Sequence, residues 1–146
     1  MFFDYCIWLT TQNMKEWNEI SNEFLPHVSI KTGLDTLEKA QNYVKSIQIN
    51  LPIIIELEYM ETTVVNGFYA LQGNVSYSNK NKFKKPKWWP DDAHVSLLYK
   101  YYEPITENEI KDMWKKIKIR KCKFDEIKIM RCNNHHTTWK EFPLQS

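Results

Sequence analysis

Apolar positions recur along this chain with two different periods, and the periods divide it into strands and helices. Residues 3–9, FDYCIWL, are dense in aromatic and β-branched side chains and read as a strand. Residues 14–24 place Met14, Trp17, Ile20 or Ser21, and Phe24 three or four apart with polar residues between, which predicts an amphipathic helix. Pro26 closes that segment and opens the strand HVSIK. Asp35 and Glu38 have the spacing of a capping box, and Leu37, Ala40, Val44 and Ile47 then share one helical face. Residues 53–65, IIIELEYMETTVV, read as one bent strand, and Asn66-Gly67 is a hairpin signal that returns the chain as FYALQGNV. Residues 76–92, SYSNKNKFKKPKWWPDD, are polar, basic and flanked by proline, and predict a long exposed connection. AHVSLLY is a further strand. Thr106 with Glu109 is a second capping box, and Ile110, Met113 or Trp114, and Ile117 follow on one face. FDEIKIMRC and TTWKEFPL close the chain as two strands.

Two of these strands are near copies. His27-Val28-Ser29-Ile30 and His94-Val95-Ser96-Leu97 lie 67 positions apart (94 minus 27), each followed by a spacer and a capped helix. Side chains alternate across a strand, so residues i and i+2 share a face, roughly 6.5–7 Å apart. Val28 with Ile30 and Val95 with Leu97 then enter a core, while His27 with Ser29 and His94 with Ser96 face the other way. One histidine on a strand is more often structural than catalytic, but two with the same serine offset reverse that balance. If the halves are related by a twofold axis, the polar faces meet across a cleft, and that pairing suits a phosphodiester. A neutral imidazole takes a proton from the attacking oxygen and a protonated one gives a proton to the leaving oxygen. The serine hydroxyls hold the non-bridging oxygens. Serine as a nucleophile is disfavoured, because no Asp is placed to orient the neighbouring base.

HVSI and HVSL resemble the paired H-x-[ST]-x motifs of the 2H phosphoesterase superfamily. The contexts FLPHVSI and HVSLLY…EPITENEI are similar to its cyclic phosphodiesterase branch, and DYCIWLT and the closing strand pair extend the likeness over nearly the whole chain. The resemblance implies an α+β fold of two pseudo-symmetric lobes, each an antiparallel sheet with outer helices, around a central cleft. It implies one bilobal domain over residues 1–146 and hydrolysis of a cyclic phosphodiester without a metal. Nucleoside 2′,3′-cyclic phosphates and ADP-ribose 1″,2″-cyclic phosphate are the implied substrates. His27 and His94 become the acid–base pair, Ser29 and Ser96 the phosphate binders, and Tyr99 a substrate contact. The sequence leaves open which ring is the base; His94 as base and His27 as acid is the working assignment. Both motifs carry Ser where Thr is commoner, and residues 50–90 match poorly, so the chemistry is better supported than the substrate. Rival substrates for the same site are 2′–5′ oligoadenylate and a cyclic dinucleotide. A non-catalytic nucleotide-binding module and an RNA end-binding accessory protein are alternatives of another class.

Composition narrows this picture. Hydrophobic residues make up 42% and aromatics 14% of 146 residues, enough for a core in one domain. With three glycines and neither GxGxxG nor GxxxxGK[ST], a glycine-rich phosphate loop is excluded. A net charge of +2 does not suit stable binding of duplex nucleic acid, so the expected partner is a small nucleotide or short oligonucleotide. Cys6, Cys122 and Cys132 lack CxxC spacing and read as reduced core thiols. The opening MFFDYCIWLT has no basic region, and no apolar run reaches about 18 residues, so a cytoplasmic monomer without membrane contact is expected. No cofactor or metal is expected. His135-His136 reads as a surface turn. Within KNKFKKPKWWP, Phe83, Trp88 and Trp89 either anchor the loop or form part of a lid, with Trp89 the candidate for stacking on a base. Phe68 and Tyr69 read as core, with one of them able to line the cleft.

Overall fold

The computed structural model describes residues 4–12, 26–65, 68–77, 86–117, 120–132 and 139–145. The strands are β1 (Tyr5–Thr10), β2 (His27–Leu34), β3 (Ile53–Val65), β4 (Phe68–Tyr77), β5 (His94–Lys100), β6 (Lys121–Phe124), β7 (Glu126–Arg131) and β8 (Lys140–Phe142). The helices are α1 (Leu37–Ser46) and α2 (Glu107–Lys116). The architecture is α+β, with one mostly antiparallel sheet in the order β6-β3-β4-β5-β2-β1-β7-β8. The strands form a single eight-stranded sheet in place of the two expected, with four strands on each side of a β2–β5 seam. That seam is registered by one residue pair, Val28 opposite Val95. The chain crosses it repeatedly: β1, β2, β7 and β8 lie on one side and β3 to β6 on the other.

One hydrophobic core lines one face of the whole sheet. Ile7, Leu9, Val28 and Ile30 meet Ile55, Leu57, Leu71, Val95 and Leu97 there. Both helices cover it, through Leu37, Ala40, Val44 and Ile47 around α1 and Ile110, Met113, Trp114 and Ile117 around α2. The periodicity that marks the helices in the sequence is thus the periodicity of burial. Gly73 faces Val95 across β4 and β5. A Cβ there would collide with the end of the Leu57 side chain and lie 3.3 Å from Leu97, so any larger residue requires those leucines to repack. Among the described residues, no helix is long and apolar enough to cross a membrane.

Several local expectations change. The helix expected over 14–24 lies outside the described residues, as do Asn66-Gly67, Phe83 and His135-His136. β3 and β4 do pair up to Val65 opposite Phe68, and β3 is bent by a register shift between Leu57 and Tyr59. The α1 cap is Thr36 rather than Asp35: the Thr36 hydroxyl accepts from the Lys39 amide, while Asp35 forms an ion pair with the Lys39 ammonium at 2.9 Å. That ion pair, with its hydrogen bond, holds the Asp35 carboxyl below its usual range. The Thr106–Glu109 box forms as expected, each backbone N–H donating to the other residue's side chain. The FDEIKIMRC segment contains a break: Phe124 ends β6, which pairs with β3, and Glu126 begins β7, which pairs with β1. The Asp125 amide donates to the Thr10 carbonyl at that switch. Cys6, Cys122 and Cys132 are all buried and none is in a disulfide.

Candidate functional site

The face away from the helices carries the polar halves of both motifs. In an antiparallel pair, residues directly opposite share a face, and Val28 opposite Val95 fixes the neighbours one step either way. His27 then stands beside Ser96, and Ser29 beside His94. The four side chains make a square with the two histidines at diagonal corners, roughly 7–8 Å apart at the backbone. The motifs run in opposite directions through that square, so a half-turn about the Val28–Val95 pair exchanges His27 with His94 and Ser29 with Ser96.

The corners differ in surroundings. His27 is 5% exposed. Its ring lies flat on the Trp8 indole, centroids 3.5 Å apart and planes 7° from parallel, and Trp139 meets it edge-on at 6.2 Å. The strand leading into it is pinned by the buried Thr10 hydroxyl, which donates to the Pro26 carbonyl at 2.6 Å. His94 is half-buried, and its Nδ1 lies 2.9 Å from the Asp92 carbonyl. A carbonyl only accepts, so Nδ1 carries a proton and Nε2 is the ring nitrogen left facing away from that bond.

Tyr99 reaches this face through a bulge. Strict alternation from His94 and Ser96 would turn it toward the core with Val95 and Leu97. Instead Gln72 pairs with Ser96 and the adjacent Leu71 pairs with Leu98, leaving Leu97 as an extra residue on β5. Leu97 and Leu98 both pack on the core, and Tyr99 swings to the histidine face. Its hydroxyl is hydrogen-bonded with Ser96, and burial pushes its pKa up to about 12 despite that bond. The ring sits edge-on to Trp139 at 6.1 Å and to Phe68 at 4.9 Å. Trp8, His27, Trp139, Tyr99 and Phe68 therefore form one continuous aromatic wall.

The other flank, on β4 and β3, is polar. Asn74 stands opposite His94 and Gln72 opposite Ser96, with Tyr59 and Glu61 next in the same rows on β3. The amides of Gln72 and Asn74 both donate to Glu61 Oε1, at 3.0 and 2.9 Å, and Gln72 also donates to Asn74 Oδ1 at 3.4 Å.

The structure thus brings His27, Ser29, His94, Ser96 and Tyr99 to one surface. Trp89 is 7% exposed, in the main core against Tyr77 and Trp88, and is not among the residues around the square. Phe68 joins the wall, whereas Tyr69 pairs with Lys100 on the alternate position. Trp8 and Trp139 are functional candidates absent from the sequence reading. Trp8 carried a usable signal, since it shares the parity of Thr10 and Cys6 on a strand beside β2. Trp139 had none, because its reach depends on the curl of the sheet. Cys132 lies behind this wall with Cys6 and Trp8, and its thiol pKa is raised by the Cys6 contact and by burial. No protein-family model matches the chain, and no curated protein matches it.

Proposed function

We propose that the chain is a phosphodiesterase of the two-histidine type, opening a cyclic phosphodiester such as a nucleoside 2′,3′-cyclic phosphate or ADP-ribose 1″,2″-cyclic phosphate. The observation that carries this reading is the antiparallel register of Val28 with Val95, which supports a single four-cornered site built from both motifs. The four strands on each side of the seam act as two lobes, and the phosphate binds over the square between them. His94 Nε2 takes a proton from water as the oxygen attacks phosphorus. His27 gives a proton to the leaving oxygen as its bond to phosphorus breaks, and a phosphomonoester results. A protonated imidazole lying on an indole face gains cation–π attraction, which favours His27 as the acid. Ser29 and Ser96 donate to the non-bridging oxygens, and Tyr99 orients the Ser96 hydroxyl. No step requires a metal or cofactor, and the substrate is taken from the cytoplasm by a monomer.

The burial of His27 favours a second reading, a nucleotide-binding module in which that ring is structural. One experiment separates them. The full chain is incubated in excess EDTA with 2′,3′-cyclic mononucleotides, ADP-ribose cyclic phosphate, 2′–5′ oligoadenylate and cyclic dinucleotides, and products are read by mass and phosphate position. Ring opening that is lost in both His27→Ala and His94→Ala supports the enzyme. Binding without turnover of any substrate supports the module, and turnover only after a divalent ion is restored would sink the two-histidine mechanism.

A further inference from the structure

We propose that the β3–β4 flank is a guanine-reading shelf, with Glu61 and Gln72 as the specificity residues and Tyr59 as the stacking surface. The proposal rests on the phosphodiester reading of the adjoining square. A carboxylate oxygen only accepts hydrogen bonds, so the amide nitrogens of Gln72 and Asn74 must both face Glu61 Oε1. These bonds leave Glu61 Oε2 and Gln72 Oε1 as the unused acceptors of the shelf, Glu61 exposed and Gln72 half-buried.

Such a pair selects among nucleobases. Guanine presents N1–H and the 2-amino group side by side, two donors in a row. Adenine and cytosine each set one amino donor beside a ring-nitrogen acceptor, and uracil flanks its single N–H with carbonyls. Only guanine meets both acceptors without opposing a lone pair to a lone pair. Asn74, having donated to Glu61, acts through it as a positioning residue. Tyr59 is 54% exposed, on the same face as Asn74 and next in its row, and supplies a flat surface for a base.

The spacing fits one nucleotide. Glu61 lies two strands from Ser96, roughly 9–10 Å at the usual strand separation. A phosphate oxygen held by the Ser96 hydroxyl, at the near edge of the square, and a base over Glu61 are separated by a span of this order. The aromatic wall on the opposite flank offers rings but no comparable pair of unused acceptors among the residues named above.

Calorimetry on the full chain tests the shelf, with guanosine 2′-monophosphate and adenosine 2′-monophosphate as probes. The guanosine ligand is expected to bind at least about tenfold tighter, the discrimination of one good two-point base contact. Glu61→Gln is expected to erase that preference, and because Glu61 is exposed the variant is expected to keep the parent's thermal unfolding curve. Equal binding of the two nucleotides, no binding of either, or an unchanged preference in Glu61→Gln would each overturn the proposal. Turnover of the four 2′,3′-cyclic nucleotides answers the separate question of catalysis. A chain that prefers guanosine 2′-monophosphate but hydrolyses nothing keeps the shelf and loses the enzyme. One that binds and hydrolyses all four alike keeps the enzyme and loses the shelf.

Discussion

The two His-x-Ser strands share three of four letters and almost nothing of their environment. On β2, His27 is pressed between Trp8 and the edge of Trp139 and nearly sealed from solvent. On β5, His94 is half-buried, held by one backbone carbonyl at its own strand's entry. The motif supplies the same chemical groups twice, and the neighbouring strands decide what each does. β1 brings aromatic rings to one copy, while β4 brings amides to the other. A histidine held by rings is fixed in place along its whole face; one held by a single Nδ1 hydrogen bond is fixed in tautomer and keeps its far nitrogen available.

The largest expected effects test that division. His94→Ala and His27→Ala are each expected to lower kcat/KM by roughly 10²–10⁴-fold, the range for losing one general acid or base. Only His27→Ala is expected to lower the unfolding temperature, because only His27 is packed. A His27→Ala enzyme of normal turnover but reduced stability would break the comparison and leave that ring a structural role.

Next in size is an alkaline effect confined to the wall. Tyr99 has a folded pKa raised from 10.0 to about 12, so the folded state holds this proton more tightly than the unfolded chain does. The stability it confers is complete below about pH 10 and is lost as pH rises toward 12, on the order of 2 kcal/mol in total. In denaturant titrations the parent is expected to lose stability across that window relative to Tyr99→Phe, which has no group to ionise there. A parent curve no steeper than the variant's would remove the case for a buried Tyr99 hydroxyl.

Smaller effects compare the two helix starts. Thr106→Ala and Thr36→Ala are each expected to cost about 1 kcal/mol in chemical denaturation, as N-cap losses do. Asp35→Ala, removing only an exposed ion pair, is expected to change stability by less than about 0.5 kcal/mol. An equal cost at Asp35 and Thr36 would move the α1 cap back by one residue.

Much of this was legible in the residues themselves. Alternation placed Val28, Ile30, Val95 and Leu97 in the core, and the T-x-x-E pattern located the start of α2, because both are local rules of backbone geometry. Tyr99 entered the site list through the resemblance and not through alternation, which alone turns it to the core; the bulge at Leu97 arises from pairing with β4 and leaves no local mark in the run LLYK. Trp89 read as a stacking candidate because its segment is basic, whereas its indole lies in the main core, where apolar area is covered. β6 was missed because KCKF is short and its pattern becomes meaningful only against β3. Trp139 could not be placed at all, as it meets Tyr99 only through the curvature of strands distant in sequence.

The seam deserves one last consequence. β2 and β5 are joined by a single registered pair, whereas β3 and β4 zip together along nearly their whole length. Bending a sheet concentrates where cross-links are fewest, so Val28 and Val95 form the natural pivot of the molecule. The square straddles that pivot, so flexing there changes the angle between the strands that carry His27 and His94. A jaw hinged beneath its own teeth grips by breathing, and a ligand spanning both edges would act as the bolt.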